Sequence, residues 1–262
     1  MTVLENLREL YDYRELLWMW TLRSIKARYK QSLLGLAWAI FQPLSLTIAY
    51  VLVFSHVMRF PSDGIPYPIF AYSAVLPWSF FARSVSSGIP SVVHNMNLVT
   101  KIYFPRAVFP LSAIAASFVD FLSGVGVFIG LMVYYRVPIN PAMGLLPMLF
   151  LIQLLLTAGV SLGASALNVF YRDINNMIPL LLQLWMYACP IIYPVSLVPA
   201  WLQSWYMLNP MAGIVHSYRQ IILKAQLPDW PTVGMAGVIS LLIFAGGYLI
   251  FRKLEDSFAD II

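Results

Sequence analysis

Residues 108–134 read VFPLSAIAASFVDFLSGVGVFIGLMVY, and residues 143–170 read MGLLPMLFLIQLLLTAGVSLGASALNVF. The first stretch carries one charge, Asp120, and the second carries none. A bilayer core of ~30 Å is crossed by a helix of ~20 apolar residues, and both stretches exceed that length. Four further apolar stretches repeat the pattern, at about 34–58, 67–90, 177–195 and 233–251. The chain as a whole agrees. Of 262 residues, 60% are hydrophobic and 10% charged, with a mean hydropathy of +0.77. A soluble domain carries roughly a quarter charged residues. This composition excludes a soluble enzyme, a disordered chain and a nucleic-acid binder. It predicts an all-α integral membrane protein with six transmembrane helices per subunit.

Orientation follows from the cationic residues. With the N-terminus inside, the inner segments hold Arg8, Arg14, Arg23, Lys26, Arg28, Lys30, Lys101, Arg106, Arg172, Arg252 and Lys253. The outer segments hold only Arg59, Arg136, Arg219 and Lys224. This bias predicts both termini in the cytoplasm. The charge-dense first 30 residues precede any apolar run, which is the wrong order for a cleavable secretory signal.

Residues 1–33 and 34–262 form two regions. In the first, Leu4, Leu7, Leu10, Tyr11, Leu17 and Trp18 recur at helical spacing, with Glu5, Arg8, Glu9, Asp12 and Glu15 between them. That pattern suits a helix lying along the inner membrane face, followed by a basic segment. The second region holds the six spans. Its stretch 196–232 is too apolar for a free loop, and Pro199, Pro210, Pro228 and Pro231 interrupt it too often for a span. It predicts an outer re-entrant hairpin between spans five and six, tolerable only against protein.

Catalytic patterns are scarce. There is no GxxxxGK[ST] phosphate loop and no HExxH or Cys/His cluster, so neither nucleotide nor metal is expected in this chain. Gly159-Val160-Ser161-Leu162-Gly163 fits GxSxG, but inside an apolar helix with no spaced Asp and His. Gly159 and Gly163 instead give a small-residue face for close helix packing, a device that Gly126 and Gly130 repeat. No catalytic residue is expected.

Two ionisable groups lie deep in the apolar stretches, Arg83 and Asp120. At ~1.5 Å per residue their depths differ by about 7 Å, within reach of an arginine. A structural ion pair and a pore role both fit. Aromatic residues make up 15% of the chain, and many fall in spans one, two and five. Tyr and Trp join an apolar ring to a polar tip, which suits both core packing and stacking on sugar rings.

Five stretches together resemble the membrane permeases of bacterial type-2 ABC exporters for surface polysaccharides (O-antigen, capsule or teichoic acid). They are RSIKARYKQSLLGLAW at 23–38, LVTKIYFPRAVFPLS at 98–112, LNVFYRDINN at 167–176, YACPIIYPVSLVP at 187–199 and LNPMAGIVHSYRQ at 208–220. The resemblance spans essentially the whole chain. It implies a homodimer in the bacterial cytoplasmic membrane, with two cytoplasmic ATPase subunits that carry the ATP and Mg. The implied cargo is an undecaprenyl-diphosphate-linked polysaccharide passing between the subunits.

The resemblance also implies roles. Arg28 and Lys30 face lipid headgroups at the inner interface, although positive-inside anchoring explains the same charges. Asn97, Lys101, Phe104 and Arg106 couple to the ATPase. Arg172 and Asp173 belong to the inner gate. Independently of the resemblance, aromatic stacking chemistry suggests that Trp38, Phe41, Tyr72, Trp78, Phe81, Tyr187 and Tyr193 would line a sugar path. Ala107 departs from the pattern, since many relatives carry an acid there. Three other readings compete: a type-2 ABC permease for a drug or small hydrophobic molecule, a membrane-embedded lipid-processing enzyme, and an ion-coupled carrier.

Overall fold

A computed structural model describes residues 12–29, 37–57, 61–99 and 104–260. Among them there are helices and connecting turns but no strand. The first helix, α1, is Arg14–Tyr29. Next come α2, Ala37–Tyr50, which widens into a π-helical turn over Val51–Val57, and α3, Tyr67–Gly88. Two short helices, α4 (Ser91–His94) and α5 (Met96–Val99), precede α6, Val108–Tyr134. Then follow α7 (Leu146–Phe170), α8 (Asp173–Tyr187), α9 (Ala200–Tyr206), α10 (Pro210–Ile222) and α11 (Trp230–Glu255).

Among the described residues, three stretches are long and apolar enough to cross a membrane: Val108–Tyr134, Pro141–Phe170 and Trp230–Phe258. Their outer faces remain apolar and exposed, as at Leu122, Ile129, Leu151, Leu242 and Leu249. Water would oppose that much bare hydrocarbon surface, whereas lipid does not.

Helix α3 is the axle of the bundle. Ile69, Ala71, Tyr72, Val75, Phe81 and Val85 are wholly buried. Pro77 sits inside the helix, and its carbonyl accepts a hydrogen bond from Gln153 Nε2 at 2.7 Å. A side-chain amide of the neighbouring helix α7 is thus bonded directly to the backbone of α3.

Helices α7 and α11 approach each other backbone to backbone. A Cβ added to Gly159 would lie 2.5 Å from Phe244 Cα, and one added to Gly163 would lie 3.1 Å from Gly247 Cα. The expected small-residue face at Gly159 and Gly163 therefore meets a glycine of α11. Gly126 and Gly130 do not repeat the device within the chain. A Cβ at either would meet nothing within 4 Å.

The fifth apolar stretch departs from a straight span. Its helix ends at Tyr187, and Cys189–Pro194 turns back through Pro190 and Pro194. Fifteen residues rise only ~22 Å, short of a ~30 Å core. Arg219 of α10 satisfies the carbonyls freed by the turn. Its guanidinium donates to Pro190 O, to Ile191 O at 2.7 Å and to Phe70 O at 3.1 Å.

Helix α1 lies against the first half of α6. Trp20 meets Phe109 edge-on at 4.9 Å, and Arg28 pairs with Asp120. The two pairs ascend together, so α1 runs alongside α6.

Candidate functional site: an arginine-lined cavity

A cavity of about 930 Å³ opens between α2, α3 and α8, with Arg28 of α1 at its edge. Gln42, Ser79, Ser86 and Gln183 line it, and among the described residues Arg28 and Arg83 are the only charged ones that do. Asp120 of α6 lies behind them, 6% exposed. Arg83 Nη1 donates to Asp120 Oδ2 at 2.9 Å, and Arg28 Nη1 donates to the same oxygen. The second terminal nitrogen of Arg83 donates to Gln42 Oε1 of α2. Four helices are tied at one point. A lone carboxylate at such depth is costly, and two guanidinium groups relieve that cost. The reading of the residues paired Arg83 with Asp120 but did not connect Arg28 or Gln42. A polar amide inside an apolar run was the available signal for Gln42.

The aromatic residues divide. Trp38 and Phe41 are exposed and meet edge-on at 5.9 Å on α2. Trp78 is 4% exposed, touches the cavity and packs against Phe81 and Trp185. Tyr187 is exposed. Tyr193 donates to its carbonyl at 2.9 Å, and the Tyr193 hydroxyl lies 3.1 Å from that of Tyr206. Tyr72 and Phe81 present no surface at all, which corrects their place in a sugar path. Tyr72 spends its hydroxyl on Gly124 O at 3.1 Å and stacks on Phe128, while Phe81 meets Trp185. Aromatic type alone does not distinguish a lining ring from a core ring.

At the opposite end of α6, Phe104 is buried in an aromatic cluster with Phe109, Phe251 and Phe258. Arg106 donates to the carbonyl of Glu255, which pins the loop before α6 to the end of α11. Asn97 is exposed on α5, and Arg172 and Asp173 are exposed at the start of α8. Lys30 and Lys101 lie outside the described residues.

A second cavity, about 610 Å³, lies beside α9 and α10. Asp63 there accepts from Lys224 Nζ at 2.9 Å and from Ser196 Oγ at 3.0 Å, which clamps the 61–66 turn to the 196–232 region. Asp63 adopts φ 52° and Gly64 φ 77°, and glycine takes the second left-handed position without strain. Burial by itself would raise the Asp63 carboxyl. The hydrogen bonds from Lys224 and Ser196, with the charges of Lys224 and Arg219, outweigh it and hold the group below the usual carboxylate range.

These features define a multi-pass helical membrane protein with polar and charged side chains gathered around internal cavities. The sequence matches the ABC-2 type transporter family over residues 15–223, and the chain belongs to that family. It is 35% identical over 258 residues to the O-antigen export system permease protein RfbA of Myxococcus xanthus, covering 97% of each chain. It is 31% identical to a Klebsiella pneumoniae protein of the same name, over 98% of this chain and 97% of that one. It is also 21% identical to the polysialic acid transport protein KpsM of Escherichia coli, over 90% of this chain and 92% of that one.

Proposed function

We propose that this chain is the permease subunit of an ATP-driven exporter that moves a lipid-linked polysaccharide outward across the cytoplasmic membrane. What supports the reading is near-full-length similarity to permeases named for O-antigen export, joined to a second similarity to a protein named for polysialic acid transport. The chemistry common to those names is a sugar polymer.

In this reading the working unit is a homodimer. Each subunit crosses the bilayer six times with both termini cytoplasmic. Residues 1–33 form the N-terminal amphipathic and basic segment, with its helix α1 alongside α6, 34–262 the transmembrane domain, and 196–232 the re-entrant outer hairpin. Two separate ATPase subunits bind ATP and Mg, and this chain is no enzyme by itself. The cargo is an undecaprenyl-diphosphate-linked glycan. Trp38, Phe41, Trp78, Tyr187 and Tyr193 line its path, Arg28 and Lys30 meet the charged lipid end, and Arg172 and Asp173 form the inner gate. Asn97, Lys101, Phe104 and Arg106 make up the coupling loop, with Phe104 as its buried anchor.

The test has two arms. Deleting the chain in its own cell should abolish surface polysaccharide and leave the lipid-linked glycan on the cytoplasmic side. The purified permease should co-purify with an ABC ATPase whose hydrolysis rate rises with lipid-linked glycan. Unchanged surface polysaccharide, or ATP hydrolysis stimulated only by small hydrophobic molecules, would overturn the reading.

A further inference from the structure

The cavity between α2, α3 and α8 is unusual in its charge. Among the described residues its lining holds two guanidinium groups and no carboxylate, because Asp120 stands behind the arginines. Arg28 and Arg83 keep 26% and 21% of their side chains exposed, against 6% for Asp120. Two positive charges thus share one negative charge, and the excess faces the open space. Ser79, Ser86 and Gln183 line the same space and supply neutral hydrogen-bonding groups.

Depth sharpens the point. Asp120 lies twelve residues into α6, about 18 Å from the start of that helix. That places the cluster well inside a ~30 Å hydrocarbon core. One positive charge beyond what Asp120 neutralises has no ordinary use at that depth, where anchoring to headgroups is out of reach. A phosphate ester crossing the bilayer needs a compensating charge there, since an ion taken from water without partners costs several kcal/mol. Arginine suits phosphate because its planar fork donates two parallel hydrogen bonds.

We propose that Arg28 and Arg83 form an anion subsite that takes the diphosphate group of the lipid-linked cargo part-way across the membrane, with Asp120 as the internal counter-anion that the diphosphate displaces. The identity of the cargo rests on the export reading above, but the affinity for a diphosphate does not. Because Arg28 belongs to α1 and Asp120 to α6, the exchange also loosens the polar tie between those two helices. A merely structural ion pair and a counter-anion make opposite predictions for removal of the carboxylate. Loss of a structural partner leaves buried cations unpaired and weakens the protein. Loss of a competitor frees both arginines for the ligand.

The experiment uses the full-length permease in nanodiscs of zwitterionic lipid, with ligand binding read by native mass spectrometry. Undecaprenyl diphosphate is the probe, undecaprenol the uncharged lipid control and inorganic diphosphate the free-anion control. Wild type should bind undecaprenyl diphosphate at least about tenfold more tightly than undecaprenol. Inorganic diphosphate should compete for the site. Asp120→Asn should tighten binding of the diphosphate lipid by roughly threefold or more, and Arg83→Gln should abolish the preference over undecaprenol. Arg83→Lys keeps the charge and should retain part of the preference, which separates charge loss from misfolding. Equal binding of the two lipids by wild type, or weaker binding by a folded Asp120→Asn protein, would overturn the subsite. Because binding is measured without any glycan, it stands or falls separately from the surface-polysaccharide assay.

Discussion

Gly247 on α11 lies so close to Gly159 on α7 that a Cβ added to Gly247 would overlap the Gly159 carbonyl oxygen. No flexible side chain is available to yield, so the backbones themselves would have to part. In lipid, association rests on such close packing because no hydrophobic force separates the helices from their solvent. Gly247→Ala should therefore cost more than the ~1–3 kcal/mol typical of overpacking, read as a lower unfolding midpoint in detergent. Gly246→Ala is the control, because a Cβ there meets nothing within 4 Å. Equal loss in both variants would overturn the packing argument.

Arg219 holds the broken end of α8 in place. Its guanidinium carbon sits 3.6 Å from the Phe70 ring centre, and its nitrogens serve the carbonyls of Phe70, Pro190 and Ile191. Arg219→Met would orphan those buried acceptors at ~1–3 kcal/mol each. The expected result is loss of folded protein in the membrane. Arg219→Lys should recover little, because one ammonium cannot span three carbonyls in a fork. Stability of the lysine variant equal to that of wild type would show that a single ammonium suffices.

The sequence exposed the long elements and hid the bends. Apolar length placed α6 at 108–134 and α7 close to 143–170, because lipid imposes length and purity on a crossing helix. The end of α8 was not readable, since Pro190 and Pro194 only become a turn when Arg219 arrives from about 26 residues later. Asp120 and Arg83 announced themselves by being charged in apolar runs. Arg28 did not, because a basic residue near an inner interface has an ordinary explanation. The aromatic residues were the least legible. Tyr72 and Trp38 are the same kind of residue in the same kind of stretch, and only packing separates a core ring from an exposed one.

The clamp between Asp63 and Lys224 sets a pH limit on the 61–66 turn. The folded carboxyl titrates below its usual value of 3.8, so its stabilisation is fully present above that value and is lost as the pH falls through the folded pKa. Thermal stability should therefore show no step from this group between neutral pH and about pH 5. A decline should appear only below about pH 3.8 and should be absent in Asp63→Asn. Both side chains are about a quarter to a third exposed, so Lys224→Met should cost less than ~1 kcal/mol. A step near neutral pH that vanished in Asp63→Asn would contradict the lowered pKa.

Exposure separates rings free to meet cargo in the proposed path from rings that only hold the bundle, and Tyr72 and the pair Trp38 and Phe41 are the two extremes. Tyr72 is wholly buried, stacks on Phe128 and donates to Gly124 O, so Tyr72→Ala should cost ~3–5 kcal/mol. Its effect on export should follow the amount of folded protein and nothing more. Trp38 is 46% exposed and Phe41 56%, so truncating them removes little packing. If these two rings line the proposed path, Trp38→Ala with Phe41→Ala should leave the unfolding midpoint within ~1 kcal/mol of wild type while surface polysaccharide falls at least several-fold. Surface glycan is measured per folded permease in the membrane. Full export by the Trp38/Phe41 double variant would remove those rings from the path, and a Tyr72→Ala protein that folds normally yet fails to export would return Tyr72 to it.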